Sequence, residues 1–263
     1  MFDRLFNQHQ SARPGAVRAF SLVELLVVIA VIAMVIGLLL PALSHSISAA
    51  RQFRCQVSLR SVGFDFGVFA DDTMHGDRGN DARLAPRFKL ETFQESEYGI
   101  DEFWRWGDKD RHELPDESNN DPMRCSEVDG YVTLQRGSPC RSGGVGPAEN
   151  VSYTFNGRLD RAPARGSNGS RWMQTTLTDG VVSEPMIPLA WDVDGATAAA
   201  RRVTPVFSAP IADSTNGPFA SGSLWFPAMR HNGSLNVLFT DQHVEASKDP
   251  LGEKSWKWGF LPR

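Results

Sequence analysis

Residues 20–40 (FSLVELLVVIAVIAMVIGLLL) carry a single charge, Glu24, in an otherwise nearly unbroken run of Leu, Val, Ile, Ala and Met. A helix of about 20 such residues covers a hydrocarbon core roughly 30 Å thick. A buried core helix would show a polar face; this run shows none, so the pattern predicts a transmembrane helix over 20–43. Past Pro41 the period changes. Cys55, Leu59, Val62, Phe66 and Phe69 follow at spacings of 4, 3, 4 and 3. That stripe predicts an amphipathic continuation of the helix over 44–71, ended by Asp71-Asp72 and the polar run to Asp81.

From 82 to 150 no period emerges. Trp104 and Trp106, flanked by charges, fit one face of a short strand, either as core or edge packing or as a sugar-stacking pair. The stretch 115–122 reads as loop. So does the Gly/Ser-rich stretch 158–171, whose four arginines make it a solvated loop or an anion site. Pro185 and Pro188 interrupt the apolar clusters of 181–191, which predicts an edge strand and a short inner one. Near the C terminus, Asn232-Gly233 marks a turn and 236–239 a buried strand. Residues 240–243 form a tight reversal and Val244-Glu245 begin the return, so a hairpin is expected within 229–245.

The 263 residues leave room for the span and one sizeable globular domain over 72–263. A formal charge of −4 and a pI near 5.9 give no footprint for nucleic acid or an anionic surface. Residues 1–19 set Arg4, Arg13 and Arg18 against Asp3, a basic leader. A basic leader before an apolar run also describes a secretory signal peptide. This run is long for that role, however, and a cleavage site has to be forced onto Ser46-Ile47-Ser48-Ala49. Arg51, Arg54 and Arg60 follow the span as closely as the leader arginines precede it, so charge does not orient the chain.

Candidate chemistry is sparse. An acid within a span costs about 2.5–3.5 kcal/mol at the centre and less near an end, so Glu24 calls for a partner, either headgroups or another subunit. Outside the cytoplasm a Cys125–Cys140 bridge would close a Gly/Pro-rich loop of about 15 residues and stabilise by roughly 3 kcal/mol. Two free thiols are the alternative, and Cys55 on the helical stripe reads as a small buried hydrophobe. No C-x-x-C spacing marks a zinc or redox motif. Asp192 and Asp194 stand at alternate positions before Gly195, like the start of a calcium loop that lacks its third ligand and closing Glu. A plain Asp-rich turn reads equally from those residues. His231, Asp241 and His243 have metal-ligand chemistry, and a His–Asp pair with Ser234 suggests a hydrolase, but no nucleophile elbow, H-E-x-x-H or phosphate loop accompanies them. They read as a folding signature, and the chain reads as no enzyme.

The segment Ala19-Phe20-Ser21-Leu22-Val23-Glu24-Leu25-Leu26 resembles the processing site of type IV prepilins and type II secretion pseudopilins. In that family a prepilin peptidase cuts before a Phe and methylates the new amine, and an acid lies at mature position five. Counting Phe20 as one, Glu24 is five and Pro41 is twenty-two, where many members carry a helix-kinking proline. Ala19 stands where the family nearly always has Gly. Four further segments resemble a planctomycete-type pilin-like group. Residues 55–63 match C-x-x-N-L-[KR]-x-[IVL]-G with Ser58 for Asn. Residues 123–126 and 150–156 resemble its C-P-x and S-Y-x-x-N elements, with Ser126 in place of the Pro. Residues 231–242 match H-x9-D-G, with Gln242 replacing the Gly. Asp-Gly would make a type I′ turn with φ > 0 at both central residues, which Gln opposes by about 1–2 kcal/mol, so a different turn is expected.

The resemblance implies an α+β pilin fold: a long N-terminal helix packed on a mainly antiparallel sheet of an extracytoplasmic domain. It implies a single-pass inner-membrane protein, and a structural subunit of a type IV pilus or type II secretion pseudopilus. The partners it implies are prepilin peptidase, other pilin or pseudopilin subunits and the inner-membrane assembly machinery. In a filament the Glu24 carboxylate would pair with the Phe20 amine of a neighbouring subunit. Some pseudopilins bind calcium, the one cofactor the sequence leaves open. The alternative is a permanently anchored extracytoplasmic module that binds polysaccharide or calcium.

Overall fold

Ser21 starts the long helix. Its Oγ accepts from Val23 N at 3.3 Å, while Glu24 Oε2 accepts from Ser21 N at 2.8 Å. Glu24 thus makes its half of an S-x-x-E capping box while Ser21 caps the second helical N–H, and two otherwise orphaned N–H groups are satisfied. Helix α1 then runs as one 54-residue element, Leu22–His75, through Pro41, whose missing N–H leaves the Gly37 carbonyl without its helical donor. It passes Asp71-Asp72, where the sequence predicts its end. The computed structural model describes residues 21–75, 87–98, 123–128, 133–134, 148–149, 151–164, 171–201, 203, 205–211 and 218–262. Ala19, Phe20, Trp104, Trp106 and Cys140 lie outside them.

The chain divides into two units, 1–46 and 47–263. In the first, every described residue is exposed, and the helix there is long and apolar enough to cross a membrane. In the second, Cys55, Leu59, Val62, Phe66 and Ala70 are buried and Phe69 packs partly against them, so the predicted stripe is the core face of α1.

The rest of the second unit is mixed. Strand β1 (Arg87–Phe88) leads into helix α2 (Leu90–Tyr98), and β2 (Thr133–Leu134) pairs with β3 (Ala148–Glu149). Strand β4 (Tyr153–Asn156) runs into the short helix α3 (Gly157–Asp160). Strands β5 (Arg161–Pro163) and β6 (Trp172–Gln174) pair antiparallel, and β7 (Leu177–Thr178) pairs with β1. Helix α4 (Asp179–Val182), strand β8 (Pro188–Asp192), helix α5 (Gly195–Ala200) and strand β9 (Phe207–Ser208) follow. Strands β10 (Leu235–Phe239) and β11 (Val244–Ser247) form the C-terminal hairpin. The main sheet has five strands in the order β11-β10-β8-β4-β9, antiparallel except for β4–β9. The architecture is α+β, as expected. Of the edge strand and short inner one expected within 181–191, the inner strand is β8, central and fully buried, whereas the edge strand is corrected: Val181 lies in α4. Pro188 is its first residue, a position where a ladder N–H is dispensable, and the β8–β10 register shifts there.

Both sheet faces are covered. Along β10, Leu235, Val237 and Phe239 join Trp191, Trp256 and Trp258 in one cluster, while Leu238 faces the helix core. That is the period-2 alternation of a strand. Trp191 and Trp258 meet edge to face with ring centroids 5.0 Å apart, and Trp258 Nε1 donates to the Pro250 carbonyl.

The hairpin sits directly on α1. A Cβ at Gly63 would lie 2.7 Å from Leu238 Cδ1 and 3.3 Å from Gln242 Cα; one at Gly67 would meet only the mobile end of the Gln242 side chain. Gly63→Val should therefore destabilise by about 2–3 kcal/mol through overpacking. Gly67→Ala should be neutral or gain up to about 1 kcal/mol of helix propensity, because Gln242 can swing aside. Chemical unfolding of the two variants measures the contrast; equal effects would place the hairpin elsewhere. The turn itself is not type I′. Only Gln242 is left-handed, at φ 70°, and Phe239 N donates to the His243 carbonyl while Gln242 N donates to that of Phe239. This is a three-residue loop with one residue in the left-handed region, so Gln meets one demand for positive φ instead of two.

Candidate functional site

Cys55, Cys125, Tyr153 and His231, from four separate stretches of the chain, meet in one buried place. Cys55, on the inner face of α1, is disulfide-bonded to Cys125. The expectation of a Cys125–Cys140 bridge is thus corrected: the fold seats Cys125 against α1, with Cα atoms 5.1 Å apart, inside the range a disulfide spans. Tyr153 OH donates to the Cys55 carbonyl at 3.2 Å. Asn156 donates from Nδ2 to the Pro188 carbonyl and caps α3 by accepting from Arg158 N, so β4 is fixed to β8 and to the turn that follows. From the other end of the chain, Gln56 donates to Asn236 Oδ1 at 3.1 Å and Ser48 to Asn232 Oδ1 at 3.2 Å.

Asp192 and His231 occupy the centre, both fully buried. Asp192 Oδ1 accepts from Arg230 at 3.1 Å and its Oδ2 from Asn236 N at 3.0 Å. Arg230 also donates to the carbonyls of Val193 and Ser152, tying β4, β8 and the approach to β10 together. A buried charge held by several charge-assisted bonds is specific to one arrangement, since removing either partner strands the other. His231 Nε2 lies 3.6 Å from Cys125 Sγ and 3.5 Å from Asp192 Oδ2. Its Nδ1 lies 3.2 Å from Glu127 Oε2, close but poorly aligned for a hydrogen bond.

The sequence-predicted trio does not assemble. His231 is buried before β10, whereas His243 follows β10 at the hairpin turn. There it contacts Asp241 through Nδ1 and stacks on Phe239 with ring centroids 4.3 Å apart. The five residues of β10 separate the two histidines by roughly 16 Å. Ser234 bridges back to His231 through the backbone, its N donating to the His231 carbonyl. The calcium pair is also otherwise engaged. Asp192 serves Arg230 and Asn236, and Asp194 caps α5 through Thr197 N and Oγ1. Neither oxygen set is left facing a common cation.

The basic stretch 158–171 is corrected in part. Arg158 is buried in α3 and donates to the carbonyls of Trp258, at 2.9 Å, and Pro210, with its guanidinium over the Phe219 ring. Burial lowers its pKa. Arg161 lies in β5, Arg171 adjoins β6, and Arg165 lies outside the described residues. Beside it, burial raises the Asp160 pKa, with the Glu91 carboxylate adding and Arg161 opposing. A carboxyl that ionises less readily when folded loses stability as pH rises through its unfolded pKa, up to its folded one. Asp160→Asn should therefore melt higher than wild type at pH 7, the gap closing toward pH 3; thermal melts across that range decide it.

Sequence reasoning missed the Asp192–Arg230 pair, for which no local signal exists. It also missed the capping role of Glu24, for which S-x-x-E before an apolar run was available. Comparison of the chain with protein-family models, with curated proteins and with solved structures finds no match.

Proposed function

We propose that this protein is a pilin-like structural subunit, processed before Phe20 by a prepilin peptidase and assembled through its N-terminal helix into a type IV pilus or pseudopilus. The observation that carries this reading is α1 itself. One uninterrupted helix is apolar and exposed through its first half and supplies the core face of an α+β domain through its second. Such a helix suits a subunit that leaves the bilayer and buries its apolar half among copies of itself, since about 20 apolar residues need a non-aqueous surrounding in either place. The buried node fits a scaffold: its acids and His231 meet one another and the backbone instead of a cleft.

The anchored binding module remains the alternative reading, weakened where Asp192 and Asp194 are already engaged. Mass spectrometry of the mature chain from its own host separates the two. A chain beginning at N-methylated Phe20 is expected. An uncut chain beginning near Met1 would overturn prepilin processing and favour the permanent anchor.

A further inference from the structure

The disulfide and His231 share a geometry that bonding between the sulfurs does not require. Cys55, Cys125 and His231 are all buried, with donor atoms within 4.8 Å of one another. Zinc binds thiolate at about 2.3 Å and imidazole at about 2.0–2.1 Å, so sulfur and nitrogen in a tetrahedral site sit about 3.6 Å apart. Cys125 Sγ and His231 Nε2 are 3.6 Å apart already. On the far side of the ring, Glu127 Oε2 stands 3.2 Å from Nδ1. A metal-bound imidazole typically turns its other nitrogen to a carboxylate, which fixes the tautomer and ring orientation. Nδ1 is buried and makes no well-aligned hydrogen bond in the disulfide state. An open hollow of about 460 Å³, lined in part by Arg54, Arg124 and Ser126, brings solvent beside the sequence neighbours of both cysteines.

We propose that Cys55, Cys125 and His231 form a site for a soft divalent cation, Zn²⁺, that fills when the disulfide is reduced. A dithiol reductant transfers two electrons and two protons to the Cys55–Cys125 bond, giving two thiols and its own cyclic disulfide. Zn²⁺ then takes both sulfurs as thiolates, releasing two protons, together with the Nε2 lone pair of neutral His231. The sulfurs part from about 2 Å to about 3.8 Å, within reach of side-chain rotation. A water takes the fourth position. The ion would hold together the same segments as the disulfide: α1, residues 123–128 and the approach to β10. The helix would thus stay docked when the bridge is reduced. This site is independent of the filament reading.

The full chain in detergent, reduced with a phosphine under anaerobic conditions, is titrated with Co²⁺. One Co²⁺ per chain is expected, with thiolate-to-cobalt charge transfer and the intense visible bands of a tetrahedral site, displaced by Zn²⁺. The oxidised chain should stay colourless. Cys55→Ser and Cys125→Ser should each lose the charge-transfer band, and Cys140→Ser should bind as wild type. His231→Gln should bind at least about tenfold more weakly while still re-forming its disulfide on oxidation, which reports a folded domain. If that variant fails to re-form the bridge, the three serine variants decide the matter alone. A reduced chain that binds no cobalt, a spectrum that survives Cys55→Ser, or one that depends on Cys140 would overturn the site.

Discussion

Cys55→Ala combined with Cys125→Ala should lower the unfolding free energy of the full chain by about 4 kcal/mol, the loop-closure entropy of a bridge spanning 70 residues. The effect is large because the bridge joins distant pieces of chain. Cys55 lies on α1, while 123–128 contains no helix or strand, so few backbone bonds hold it against the helix. Both sulfurs are buried, so the alanines also lose some packing, but at sites small enough to collapse. Urea unfolding of the oxidised protein should show the loss. Reducing the wild type in the presence of a metal chelator should reproduce it. Cys140→Ala should leave the midpoint unchanged; a loss of the same size from that variant would place the bridge at Cys125–Cys140.

That bridge also marks where sequence stops informing structure. Three cysteines allow three pairings, and the shortest loop, Cys125–Cys140, looks simplest when only separation is visible. What decides is which β-carbons the finished fold brings face to face, and Cys125 meets the stripe of α1. The stripe itself was legible because helical period is local: Cys55, Leu59, Val62 and Phe66 are buried as their spacing requires. The hairpin was legible for the same reason, and Gln242 already argued against a type I′ turn. The inner strand β8 was legible although Pro188 opens it, since that costs no needed donor, but the edge strand expected before it is helical at Val181. The candidate trio failed because His231 and His243 are close in sequence yet stand at opposite ends of β10. Asp192 and Arg230, 38 residues apart, pair only once β8 and the approach to β10 are adjacent.

On the proposed filament reading, Glu24→Gln and Glu24→Ala should both abolish filament assembly, to less than about a tenth of wild type, while leaving the melting temperature of the second unit unchanged. The pair is needed because Glu24 has two candidate tasks. Within one chain its Oε2 accepts from Ser21 N, a cap worth about 1 kcal/mol to the first turn. Glutamine retains an acceptor oxygen for that bond and alanine does not, so a purely capping role predicts normal assembly by Gln and impaired assembly by Ala. Neither variant should insert less well, since an ionised acid near a span costs more to bury than an amide or a methyl. If Glu24 instead meets the Phe20 amine of the next subunit, charge is the required property and the amide fails with the methyl. An isolated carboxylate among apolar helices then acts as a register device: a slipped subunit strands both charges, while the correct one pairs them. Sheared-filament yield with both variants inserted and folded separates these outcomes, and normal filaments from Glu24→Gln would confine Glu24 to its own helix cap.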